Sequence, residues 1–139
     1  MSAKIGHPWV DESGESVYRV CFPATASEEE LLEYCRAVES WWPKVDEPVA
    51  FIVDARSVKT TSPRQREILA IHERKNQPYT ARFMACSALV VSNQIVRGMV
   101  TAVYWMAPPN YPHKVTTRIE DAETWVNKQL ARQQDQSNR

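Results

Sequence analysis

Glycine is nearly missing from this chain. Its 139 residues include only Gly6, Gly14 and Gly98. A phosphate-cradling P-loop and a dinucleotide-binding βαβ turn each need several glycines close together, so both are excluded. Cysteine is sparse as well. Cys21, Cys35 and Cys86 are odd in number and widely spaced, which fits neither a disulfide framework nor a zinc cluster. His7, His72 and His113 fall in different segments, and His72-Glu73-Arg74-Lys75-Asn76 lacks the second histidine of a His-Glu-x-x-His helix. No metal and no cofactor are therefore expected. No apolar run approaches the ~18 residues needed to span a bilayer, and the first residues show no signal-peptide pattern. The expected location is cytoplasmic. A charge excess of one sign is also lacking: the formal net charge is +0 and the pI about 6.8. A nucleic-acid binder usually carries a basic excess, so none is expected.

What is present suits a folded domain. Apolar residues make up 43% and charged residues 24%, values that separate the chain from disordered sequences. The length suffices to bury a core without disulfides or a structural metal. Charge is balanced overall but uneven locally: residues 1–54 sum to −7, 55–98 to +6 and 99–139 to +1. The basic stretch contains Arg56, Lys59, Arg64, Arg66, Arg74, Lys75, Arg82 and Arg97. It could present an anion-attracting face, or simply neutralise the acidic segment across a solvated surface.

The apolar pattern predicts alternating strands and helices. Residues 5–10 and 16–22 read as two strands around the polar turn Asp11-Glu12-Ser13-Gly14, with Pro8 confining the first to an edge. Ser27 and Glu30 form a capping box ahead of a helix with Leu31, Cys35, Val38 and Trp42 inward, stopped by Pro43. Val49–Asp54 is a short apolar run, as in a parallel strand buried on both faces. Thr61 or Ser62 then caps a helix beginning at Pro63 and ending near Gln77, before Pro78, with Ile68, Leu69, Ile71 and His72 inward. Phe83–Val91 is the best candidate for the central strand. Ser92 or Asn93 opens a helix with an apolar stripe of Ile95, Val96, Met99, Val100, Val103 and Met106. His113–Ile119 reads as a peripheral strand. The last helix begins at Glu120 or Asp121, with Ala122, Trp125, Val126 and Leu130 inward. The order β-β-α-β-α-β-α-β-α predicts an α/β fold: a mixed, mainly parallel sheet of about five strands, an N-terminal antiparallel hairpin and four helices. Residues 1–132 are expected to form a single domain and 133–139 a frayed tail.

Several pieces of this layout carry a family resemblance. They are Phe51-Ile-Val-Asp54-Ala-Arg56, the helix start Ser62-Pro-Arg64, the strand Ser87-Ala-Leu-Val-Val-Ser92, the segment Arg97–Met106, and the closing Glu120-Asp-Ala122-Glu-Thr-Trp125-Val126. From about Val17 to Leu130 the chain resembles the STAS-like superfamily: anti-sigma-factor antagonists and SpoIIAA-like proteins, which share a fold with lipid-binding Sec14 domains. The resemblance implies that fold and a regulatory role. In the antagonists a phosphorylatable serine opens the helix after the second core strand, within an Asp-Ser-Ser-Gly-like sequence. The corresponding stretch here is Thr60-Thr61-Ser62-Pro63-Arg64-Gln65. It departs from that sequence and has a proline near the phosphoacceptor position, but Thr60, Thr61 and Ser62 remain as candidate acceptors.

Three candidate sites follow. The loop after Asp54 offers Arg56, Lys59, Thr61, Ser62 and Arg64 at the carboxyl end of a buried strand, where open α/β sheets place ligands. Ser92, Asn93 and Arg97 open the helix after the next strand, and parallel strands would bring both loops to one rim. Capping alone explains the hydroxyls and the amide equally well. Trp41, Tyr104 and Trp105 exceed what one core readily buries, which suits a homodimer interface or an apolar pocket. The buried setting expected for Cys35 and Cys86 argues for packing, and no paired carboxylates stand out. The chain therefore reads as a non-enzymatic regulatory module acting by protein–protein interaction, with no nucleic acid and no transmembrane segment. The alternative is binding of a small apolar or anionic ligand, as in Sec14-type domains.

Overall fold

The computed structural model describes residues 3–137. Strands β1 (Val10–Asp11), β2 (Val17–Cys21), β3 (Val49–Asp54), β4 (Met84–Val90) and β5 (His113–Thr116) form one sheet in the order β1-β2-β3-β4-β5. β1 and β2 are antiparallel, and every other neighbouring pair is parallel. The helices are α1 (Glu28–Trp41), α2 (Pro63–Phe83), α3 (Gln94–Met106) and α4 (Ile119–Ser137), with a 3₁₀ turn at Trp42–Lys44. This is the expected fold class.

The period of two along the inner strands sorts side chains to opposite faces. Val49 and Phe51 of β3 join Tyr18, Val20, Leu31, Tyr34, Val38, Trp41, Trp42 and Ile68 in the core under α1 and α2. Ala50 and Ile52 face the other way and join Cys86, Ala88 and Val90 of β4 beneath Ala122 and Val126 of α4. Ala50, Ala88 and Ala122 are all fully buried. Three small side chains here let α4 lie close to the sheet.

Local signals set the helix starts. Ser27 Oγ accepts from the Glu30 amide at 3.0 Å while Glu30 accepts from the Ser27 amide at 2.9 Å, and three glutamates occupy the first turn of α1. Ser62 and Gln65 form the same reciprocal pair at α2, with Pro63 in its first turn. Asn93 Oδ1 accepts from the Ile95 amide at 2.7 Å and caps α3.

Several expectations are corrected. The first strand shrinks to Val10–Asp11, and the middle of the sheet is β3, with β4 beside it. α2 does not stop at Gln77: it continues through Pro78 to Phe83. A proline inside a helix costs about 3 kcal/mol, and tertiary contacts beyond it offset that. Asn110 accepts from Thr80 Oγ1 at 2.9 Å and donates to the Gln77 carbonyl at 3.2 Å, while Tyr79 stacks on Trp42. Ile71 faces solvent. Trp41, expected at an interface, is a core residue: it is 2% exposed, its ring lies 4.7 Å from that of Trp42, and its Nε1 donates to the Ala3 carbonyl at 3.1 Å. α4 runs helical to Ser137, past the point where fraying was expected, and Gln133 Nε2 donates to the Ala85 carbonyl at 2.9 Å. Residues 138–139 of the expected tail lie outside the described residues.

Candidate functional site

β3 and β4 run parallel in register from Ala50↔Cys86 to Asp54↔Val90, so their trailing loops emerge at one rim. The Ala55 amide donates to the Val90 carbonyl at 2.9 Å, tying the two exits together. The side chains at that rim then diverge. Arg56 folds back on Asp54, with Nε to Oδ1 at 2.9 Å and a second nitrogen to Oδ2 at 2.7 Å. These hydrogen bonds hold the Asp54 carboxyl below its ordinary pKa. Arg56 borders a groove on the α4 side with Arg19, Cys21 and Ile119. Arg64 pairs with Glu67 at 2.9 Å. Ser62 and Asn93 are occupied as helix caps. Among the described residues, the side chains of Lys59, Ser92 and Arg97 enter no hydrogen bond or ion pair, and Arg97 borders a separate groove with Lys114 and Lys128. The rim is shared, but its residues do not converge on one anion.

Thr60 and Thr61 instead border the mouth of a cavity of about 220 Å³, open to solvent, between the sheet and helices α1, α2 and α3. Thr61 Oγ1 donates to Met99 Sδ at 3.2 Å, joining the rim to α3, and Arg66 donates to the Thr61 carbonyl at 2.7 Å. The cavity wall is mostly apolar: Phe22, Phe51, Leu69, Leu89, Val100 and Val103 contribute, with Trp9 and Trp42.

The origin of the cavity lies in α3. Its stripe was expected to be core, yet Val96 is the only residue of α3 in the buried class. Met99, Val100, Val103 and Tyr104 are half-buried and line the cavity. Ile95, Trp105 and Met106 are exposed, Trp105 at 82%. α3 leans on α2 and roofs a space that its side chains do not fill.

The cavity also has a polar side. Tyr111 donates its hydroxyl to Glu73 Oε1 at 2.6 Å. Burial first, then the Glu73 charge, pushes the Tyr111 hydroxyl well above its ordinary pKa, and burial pushes Tyr104 up to about 12. Both phenols therefore stay protonated: Tyr111 donates to Glu73, and Tyr104 can donate to a ligand. His72, Asn76, Thr80 and Ser87 complete this side of the wall. The arrangement offers hydrogen bonds but no activated nucleophile: Glu73 is held by Tyr111, and burial raises the Cys35 thiol to about 12 and the Cys86 thiol to about 11. Sequence reasoning missed the cavity as a place. Its one signal was the aromatic surplus that included Tyr104.

No family profile matches the chain, and no curated protein matches it by sequence. A solved structure does match: an uncharacterised protein of the DUF3478 family with a SpoIIAA-like fold, from Shewanella loihica PV-4. The two superpose with a TM-score of 0.51 at 13% sequence identity, over 84% of this chain and 89% of the other. The chain thus has a SpoIIAA-like fold, as the sequence resemblance implied. Among the described residues, no helix is long and apolar enough to cross a membrane.

Proposed function

We propose that this protein is a non-enzymatic binding module that takes a small, largely apolar molecule into the cavity roofed by α3. The cavity itself carries the reading. An engineered apolar cavity of about 150 Å³ already admits benzene, and the space here is about 220 Å³. A ligand seated there removes apolar wall from water. The Tyr104 hydroxyl suits a ligand with one hydrogen-bond acceptor on an apolar body, while Tyr111 keeps its proton on Glu73.

Para-cresol, an aromatic ring with one hydroxyl, is the test probe, measured by isothermal titration calorimetry. Saturable one-to-one binding that raises Tm supports the reading, provided it is weakened in Val103→Phe, which occupies part of the space. No heat and no Tm shift with para-cresol, toluene or hexanol would sink it.

A second reading is favoured by one observation. Ile95, Trp105 and Met106 expose apolar surface on α3, and tryptophan on a surface commonly anchors a protein contact. A regulatory protein–protein interaction at this face, the role expected from the sequence, would use the same helix that roofs the cavity.

A further inference from the structure

We infer that Cys35, Glu39 and His72 form a binding site for a divalent transition metal ion, zinc by chemical preference, between α1 and α2. One ligand atom from each residue lies within 4.8 Å of the other two. Cys35 and Glu39 are four residues apart on α1 and so share a face, and His72 meets them from the neighbouring α2. The His72 Nδ1 to Glu39 Oε2 distance is 2.7 Å. Cys35 is 3% exposed, and the His72 and Glu39 side chains are 11% and 25% exposed. A thiolate, a carboxylate and an imidazole held by two rigid helices match the borderline-soft character of zinc, with bonds of about 2.0–2.3 Å. A tetrahedral ion at those bond lengths wants donors roughly 3.3–3.8 Å apart, so the histidine and glutamate need to part by less than 1 Å.

The surroundings fit. Asn76 is buried, and its side-chain amide packs against the His72 ring, 3.3 Å from Nδ1 and 3.2 Å from Nε2. Lys75 Nζ sits 3.6 Å from Glu39 Oε1, the other carboxylate oxygen, and leaves Oε2 to the ion. Loading frees Nδ1 for the ion and leaves the neutral ring's single proton on Nε2, while the proton of the Cys35 thiol is released to solvent. The ion's two positive charges then meet one thiolate and one carboxylate. His72 also lines the cavity, so the ion borders it, with a fourth position for water. The site escapes sequence reading because its donors come from two helices and follow no recognised spacing.

Cobalt substitution tests the proposal in the full-length protein after chelator treatment. One equivalent of Co²⁺ should produce the near-ultraviolet sulfur-to-cobalt charge-transfer band, and one equivalent of Zn²⁺ should abolish it. Cys35→Ser should remove the band, and Glu39→Gln and His72→Gln should each weaken cobalt affinity tenfold or more. The double variant Cys21→Ser/Cys86→Ser, whose sole thiol is Cys35, should retain the band, and it decides the matter if Cys35→Ser fails to fold. No band in the wild-type protein, a band lost from the double variant, or a band that survives Cys35→Ser overturns the proposal and leaves a plain His72–Glu39 ion pair. The readout is independent of whether the cavity binds an apolar molecule.

Discussion

Filling the cavity should stabilise the protein while filling a packed part of the core should not. Val103 lies on the inner side of α3 and lines the cavity. Val103→Phe adds four carbons. At about 0.8 kcal/mol for each carbon buried, the upper limit is about 3 kcal/mol. Side-chain ordering and imperfect fit remove part of this, so the expected gain is about 1–2 kcal/mol, or roughly 3–8 °C in Tm for a chain of this size. The comparison is Ala88→Leu. Ala88 is fully buried under α4 against Ala122 and Val126, with no space for three more carbons, and overpacking there should cost about 1–3 kcal/mol. Urea denaturation followed by circular dichroism gives both values. The opposite signs are the prediction. If Val103→Phe destabilises as much as Ala88→Leu, the space under α3 cannot take added apolar atoms and the case for a ligand there fails.

Other consequences follow from single contacts. Tyr111→Phe removes the 2.6 Å hydrogen bond to Glu73 and should cost about 1.5–3 kcal/mol by chemical denaturation, the range for a bond to a charged group. Ser62→Ala removes the α2 cap and should cost about 1 kcal/mol, while Ser62→Asp, which still caps, should cost less. Arg56 lowers the Asp54 pKa, so the stabilisation is present above the unfolded carboxylate pKa and is lost as pH falls through the lower folded value. Arg56 is 42% exposed and Asp54 20% exposed, so solvent screening holds the effect below about 1 kcal/mol. Asp54→Asn should therefore differ from wild type by that amount at pH 7, and the difference should shrink below about pH 4 when both are unfolded in urea. Trp105→Ala should change stability by less than about 0.5 kcal/mol, since the ring is 82% exposed. If the α3 face binds a protein or a second copy, the same change should abolish that association in sedimentation velocity runs.

Strand and helix order was legible because the signals are local. The Ser27–Glu30 box, the cap at Thr61 or Ser62 ahead of Pro63, the apolar runs at Val49–Asp54 and Phe83–Val91, and Pro43 each speak within a few residues. The errors arose where distant contacts override local preference. Asn110 and Trp42, remote in sequence, hold α2 together past Pro78. Trp41 looked surplus because its partners Tyr18 and Phe51 and the Ala3 carbonyl come from three separate segments. The stripe of α3 was read correctly as amphipathic, but periodicity cannot tell a face pressed on a core from one roofing a cavity. The shared rim was foreseen from parallel strands. That Arg56 would turn back to Asp54, and that Thr61 would reach Met99, depends on side-chain geometry that no spacing encodes.

Native mass spectrometry of the protein purified from its own cells without detergent bears most directly on the occupant of the cavity. An intact mass above that of the polypeptide by one discrete small organic molecule is expected, with the excess released by denaturation and reduced in Val103→Phe. A bare polypeptide mass for the wild-type protein, together with no binding of para-cresol, toluene or hexanol, would contradict a ligand-binding role.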